Sequence, residues 1–158
     1  MNQQFLLLYD YNIWANERVI SYLRTLPGNL FLKEVDLGFK SIAEVIGHLI
    51  SVDEICFSRI KEEIPSSLVT KQIINLDDAS NYMNKLQSQI REYLLTISDI
   101  EKIITYRNTM GEEFQNSISE IIQQVVNHGT YHRGNISTIL RYLGFSGIQT
   151  DYIVYLRK

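Results

Sequence analysis

Histidine is the residue in this chain whose type and spacing could do chemistry. There are three: His128 and His132 stand four apart in one apolar segment, and His48 stands alone in another. On an α-helix, residues i and i+4 lie one above the other on a single face, so His128 and His132 can aim their rings at a common point. A third ring from a packed neighbouring helix would complete a facial three-nitrogen site for a divalent metal, with positions left open for water or substrate. Three neutral imidazoles offset none of the ion's charge. It would act as a strong Lewis acid, bringing a bound water's pKa to about 7 and lowering that of a bound thiol likewise. Thiolate is the nucleophilic form.

The spacing leaves a plainer reading open. His132 falls within the apolar stripe of its segment and His128 on the stripe's shoulder, where a histidine can be a core residue satisfied by one hydrogen bond. Two partly buried imidazoles would each need such a partner, because an unsatisfied polar group costs roughly 1–3 kcal/mol. One divalent ion satisfies both through neutral ring nitrogens. His48 projects away from the centre of its stripe, flanked by Val45, Val52 and Ile55, and could face a second neighbour or solvent.

No fourth protein ligand stands at helical spacing. Asp53 and Glu54 are five and six residues from His48, off its face, and are read as groups behind the ligands or facing solvent. Gly129 follows His128 where an HExxH protease carries its glutamate, which argues against that mechanism. No catalytic side chain is identified: the reacting group would be a metal-bound water or thiolate held by His48, His128 and His132. Structural zinc sites usually close with four protein ligands, and this set has three. An enzyme is therefore favoured over a non-catalytic bundle that uses its metal for stability or stress-linked partner binding.

Four long periodic segments must position these rings. The first covers residues 2–26, with Phe5, Leu8, Tyr9, Ile13, Val19, Ile20 and Leu23 at helical spacing and Pro27-Gly28 as its stop. The second opens on a capping box, Ser41 with Glu44, and ends before Pro65. The third covers residues 77–96, carried by Tyr82, Met83, Leu86, Ile90, Tyr93 and Leu94. Between Lys102 and Phe114 the pattern changes to a short hairpin or extended crossover with a turn at Asn108 to Gly111. The fourth opens on a second capping box, Ser117 with Glu120, and Gly144 stands where a left-handed cap would fall. The tail from Ser146 onward is expected to be irregular or extended. Four amphipathic helices with one β excursion make an all-α fold, a four-helix bundle.

The 158 residues fit one domain, residues 1–158. With 45% hydrophobic and 21% charged residues and a net charge of −3, no basic cluster suggests nucleic-acid binding. No apolar run reaches the length of a membrane span and no signal peptide is visible, so no membrane partner is expected. The single cysteine, Cys56, cannot form an internal disulfide, and a reduced, cytoplasmic protein is expected.

Other residues carry weaker signals. Trp14, Tyr9, Tyr11 and Asn12 are read as core packing, with the mouth of a pocket near the metal as the alternative. Asn12 and Asn16, four apart, could hydrogen-bond a ligand or face water. Cys56 lies on the second helix's stripe and is read as a buried, inert thiol. Gly129 sits on a core stripe, where glycine costs roughly 1 kcal/mol against alanine, and close approach of a neighbouring helix or ligand would explain it. Arg133 is read as a charge at the surface or behind the ligands, or as an anchor for an acidic thiol.

The segments "SIAEVIGHLISVDEICFSRI" and "EIIQQVVNHGTYHRGNISTILRYLG", with "YDYNIWANERVISYL" and "TDYIVYLRK" at the ends, resemble the DinB/YfiT-like family of metal-dependent enzymes. The likeness covers nearly the whole chain, and its most specific element is HGTYHRGNI with a single upstream histidine. It implies a bundle of up-down-down-up connectivity, with a long crossover over residues 62–76. It implies that His48, His128 and His132 bind one divalent metal, nickel or zinc. It also implies a small-molecule substrate: relatives include bacillithiol- or glutathione-type thiol S-transferases and a mycothiol-dependent maleylpyruvate isomerase. Thiol transfer to an electrophile is thus expected, with metal-dependent hydrolysis as the alternative and a homodimer as the assembly.

Overall fold

The computed structural model describes residues 2–63, 69–108 and 110–158. Helix α1 spans Asn2–Arg24, α2 Ile42–Ile60, α3 Leu76–Thr96 and α4 Ile118–Tyr142. A 3-10 turn at Gly28–Leu30 follows α1. Strands β1 (Ile103–Arg107) and β2 (Glu113–Ser117) form an antiparallel hairpin that pairs Ile103 with Ser117 and Arg107 with Glu113. Pro65 and the middle of the expected crossover lie outside the described residues.

Each helix forms for a local reason and turns one stripe inward. In α1, Tyr9, Asn12, Ala15, Asn16, Val19, Ile20 and Leu23 are buried at three- and four-residue spacing. Ser41 caps α2, its hydroxyl accepting from the Glu44 N–H at 3.1 Å. The expected capping box is only half formed, because the Glu44 carboxylate accepts from the Lys40 N–H, one residue before the cap. Asn75 starts α3 by accepting from the Asp78 N–H, and Asp77 and Asp78 complement the helix dipole. Tyr82 does not join the inner stripe of α3: it is exposed and lies under the Lys71 ammonium.

Ser117 ends β2 and caps α4 at once, with both halves of the capping box present. At the far end Gly144 adopts φ +87°. The Phe145 N–H reaches the Leu140 carbonyl and the Gly144 N–H the Arg141 carbonyl, the Schellman pattern that glycine permits. The tail departs from the irregular expectation. A single helical turn, α5 (Tyr152–Tyr155), packs Tyr155 against Tyr11 and Trp14. Four residues without a side-chain cap leave no periodic signal to read.

Pair contacts set the helix directions. Asp10 meets Arg91 and Arg24 meets Asp77, so α1 and α3 are antiparallel. Tyr11 meets Thr130 and Asn16 meets Arg133, so α1 and α4 are parallel. Glu54 meets Tyr82 and Phe57 meets Tyr93, so α2 and α3 are parallel. The four-helix bundle is therefore up-down-down-up. Around its core α4 touches α2 on one side and α1 on the other. Among the described residues no helix is long and apolar enough to cross a membrane.

The segment entering α3 is pinned to α2 beside His48. The Lys71 N–H donates to the Ser51 hydroxyl at 2.8 Å. A side chain at Gly47 would run into the Lys71 carbonyl, so glycine is required there for backbone to pass over helix.

Candidate metal centre

His48 comes from the first half of α2, and His128 and His132 from the middle of α4, where α2 and α4 pack together. One nitrogen from each ring lies within 4.8 Å of the others. Nε2 of His48 and Nε2 of His128 are 3.1 Å apart, and the ring centroids are separated by 4.3 to 5.0 Å. The i, i+4 spacing delivers what it promised, and His48 takes the inward of its two open orientations.

Burial depresses the basicity of all three rings. Desolvation, then repulsion from His132 and His48, brings His128 from 6.5 to about 4. Desolvation, then repulsion from His48, brings His132 to about 4. His48 is lowered by desolvation, with the Glu44 carboxylate pulling the other way. Neutral imidazole is the metal-binding form, and these rings hold it at neutral pH.

The donor set fits a divalent ion. Only one proton can lie between Nε2 of His48 and Nε2 of His128, so three crowded lone pairs cannot all be satisfied by the rings themselves. Two nitrogens 3.1 Å apart, each about 2.05 Å from one ion, would subtend roughly 100°, between octahedral and tetrahedral values. Asn135 lies one turn beyond His132, its Nδ2 3.1 Å from Nδ1. A half-turn of the amide puts its carbonyl there instead, where it accepts the Nδ1–H and leaves Nε2 bare. His128 Nδ1 is buried without a partner among the described residues.

Two aromatic rings frame the cluster. Phe39, before α2, packs against His48 and, edge-on, against His132. Tyr131, 69% exposed, stands perpendicular to His132 on the solvent side. The i+3 spacing to His132 was the signal that could have found Asn135. Phe39 lies in an irregular segment and offered none.

The remaining sequence candidates fall elsewhere. Arg133 is neither a surface charge nor a free anchor: it is 2% exposed and bonded to Asn12 and Asn16. Those asparagines therefore face neither ligand nor water. Tyr9 and Tyr11 are buried in the core and Trp14 is half-buried. Trp14 lines clefts beside α1 with Arg18, Tyr155 and Gln149, not the metal mouth. Asp53 is buried, not solvent-facing. Desolvation lifts its carboxyl to about 7 against the opposing pull of Arg133. Glu54 pairs with Lys71 and Tyr82. Cys56 is a buried thiol pushed up to about 12 by desolvation, as inert as expected. Nothing in the structure requires glycine at position 134.

The model of the DinB family matches residues 1–158. Protein DinB of Bacillus subtilis (strain 168) is 30% identical over 160 residues, covering 94% of this chain and 91% of that protein. The crystal structure of a DinB-like protein from Bacillus cereus ATCC 10987 superposes with a TM-score of 0.70 at 17% identity, over 92% of this chain and 94% of the other. YfiT from Bacillus subtilis is described as a probable metal-dependent hydrolase with an unusual four-helix bundle topology. It superposes with a TM-score of 0.68 at 13% identity, over 92% of this chain and 89% of its own. At those identities the two structures speak to fold alone. With the family match running from end to end and the Bacillus relative aligned over nearly its whole length, this chain belongs to the DinB family.

Proposed function

We propose that this chain is a metal-dependent enzyme. His48, His128 and His132 hold one divalent ion, nickel or zinc, and a low-molecular-weight thiol attacks an electrophilic small molecule beside it. The observation that supports this reading is the cluster itself: three ring nitrogens from two helices within 4.8 Å, with no carboxylate or thiol in the set. Three protein ligands leave coordination positions open, as catalytic sites do. An ion there supplies Lewis acidity, which lowers the pKa of a thiol or water entering those positions.

The protein's own part is to hold and shield. Helices α2 and α4 carry the rings, and burial keeps them neutral. Asn135 steadies His132, and Phe39 packs beside His48 and edge-on against His132. In the transfer step the thiol loses its proton to solvent, its sulfur bonds to the electrophilic carbon, and the leaving group departs with the bonding pair.

The test is elemental analysis of the purified protein, followed by titration of the cobalt-loaded form with small thiols. One metal per chain, a sulfur-to-cobalt charge-transfer band and thiol-dependent turnover of an alkyl halide or epoxide are expected. Absence of metal, or turnover unaffected by His128→Ala, would refute the reading. A second reading is hydrolysis at the same centre, favoured by the description of YfiT as a probable metal-dependent hydrolase. Ester cleavage that needs metal but no thiol would select it.

A further inference from the structure

Gly129 and Arg133 each follow a metal-site histidine by one residue, so the pair sits about 100° round α4 from His128 and His132. The histidines face α2, and Gly129 with Arg133 faces α1. What happens on the second face therefore fixes where the first face points.

The second face is locked by directional bonds. Arg133 Nη1 donates to Asn12 Oδ1 and to Asn16 Oδ1, both at 2.8 Å. Nη2 donates to Thr130 Oγ1 at 3.0 Å and reaches the Tyr11 hydroxyl at 3.5 Å. The guanidinium also stacks 5.5 Å from the Tyr11 ring centroid. Arg133, Asn12 and Asn16 are all buried. Gly129 makes the approach possible, since a Cβ there would run into Asn12 Oδ1 and lie 2.8 Å from Arg133 Nη1.

Apolar packing alone would not hold α4 this firmly. Apolar contact is non-directional and sets no one rotation of a helix about its own axis. A histidine ring nitrogen projects to roughly 6 Å from the helix axis, so a turn of about 10° displaces it by about 1 Å. Metal–ligand distances tolerate only about 0.2 Å. Something must fix the rotation of α4 more tightly than hydrophobic burial does.

We propose that Arg133, held by Asn12 and Asn16 across Gly129, is a positioning residue that sets the rotation of α4 and so brings His128 and His132 to His48 before any ion arrives. This rests on the metal reading above. Its test is metal affinity and geometry in variants that leave every histidine in place. Asn16→Leu removes an acceptor at nearly constant volume, and Asn16→Asp keeps one. Each is loaded with cobalt(II), its affinity measured by chelator competition and its visible absorption spectrum recorded, with circular dichroism confirming the fold. Asn16→Leu should bind cobalt about 10-fold more weakly or worse, as when groups orienting metal ligands are removed, with an altered spectrum. Asn16→Asp should behave like the wild type.

Where Asn16→Leu does not fold, Asn16→Ala takes its place with the same expectation. A folded variant without the acceptor that binds cobalt with wild-type affinity and spectrum overturns the clamp while the metal reading stands. A wild-type protein that binds no metal overturns both. His48→Ala, which leaves the clamp intact and removes a ligand, separates the two failures.

Discussion

Helix α4 carries two polar clusters on adjacent faces, one buried and one half-buried, and they are finished to different degrees. Toward α1, four N–H groups of Arg133 have acceptors from Tyr11, Asn12, Asn16 and Thr130; only Nε lacks one. Toward α2, three imidazoles share a single nitrogen–nitrogen contact and one amide contact, and His128 Nδ1 has no partner among the described residues. The first cluster is nearly saturated by its own chain. The second has ring nitrogens to spare, and one from each histidine lies within 4.8 Å of the others, as expected where the missing partner comes from outside the protein. Two polar clusters on one helix thus separate into scaffold and site by counting donors against acceptors.

The sharpest way to break this contrast is to remove ligands. His48→Ala or His132→Ala should abolish stoichiometric metal by elemental analysis. It should also remove the metal-dependent rise in melting temperature, which for the wild type at about 1,000 times Kd is worth about 4 kcal/mol. An Arg133→Met substitution should act on the other face. It strands the buried Asn12 and Asn16 acceptors and should cost about 3 kcal/mol in urea unfolding without metal. Gly129→Ala should cost about 1–3 kcal/mol by overpacking, despite alanine's higher helix propensity.

The histidine cluster and the buried Asp53 should respond oppositely to pH without metal. His128 and His132 titrate near 4 when folded and near 6.5 when unfolded. Their contribution is fully present above about pH 6.5 and is lost as pH falls toward 4, where the unfolded chain binds more protons. Asp53 runs the other way. Its carboxyl is raised from 3.8 to about 7, so its folded state is favoured as pH falls from 7 and penalised above it. Denaturation midpoints between pH 4 and 7 should flatten on the acid side in His128→Gln and lose the opposing slope in Asp53→Asn. The smallest effect is expected from Cys56→Ala. It should leave metal content unchanged, and in the wild type the thiol should resist Ellman's reagent until the protein unfolds.

Periodic features were legible before any fold was known. Stripes at three- and four-residue spacing placed the four helices, Ser117 with Glu120 marked the start of α4, and Gly144 marked its end, because each signal lies within one or two turns of chain. The i, i+4 histidine pair was legible for the same reason. Asn75 as a cap is an equally local signal. The half-formed box at Ser41 turned on which of two neighbouring N–H groups the Glu44 carboxylate reaches, a choice that residue types do not encode.

Residue type and spacing alone determined that His128 and His132 share a face, since helix geometry fixes that whatever surrounds it. Tertiary packing decided the rest. It turned His48 inward to meet them across 80 residues of sequence, and it buried Arg133 between two asparagines of α1. No local pattern distinguishes a buried guanidinium from an exposed one. Its burial depends on acceptors more than a hundred residues away, brought close only when α1 and α4 pack side by side.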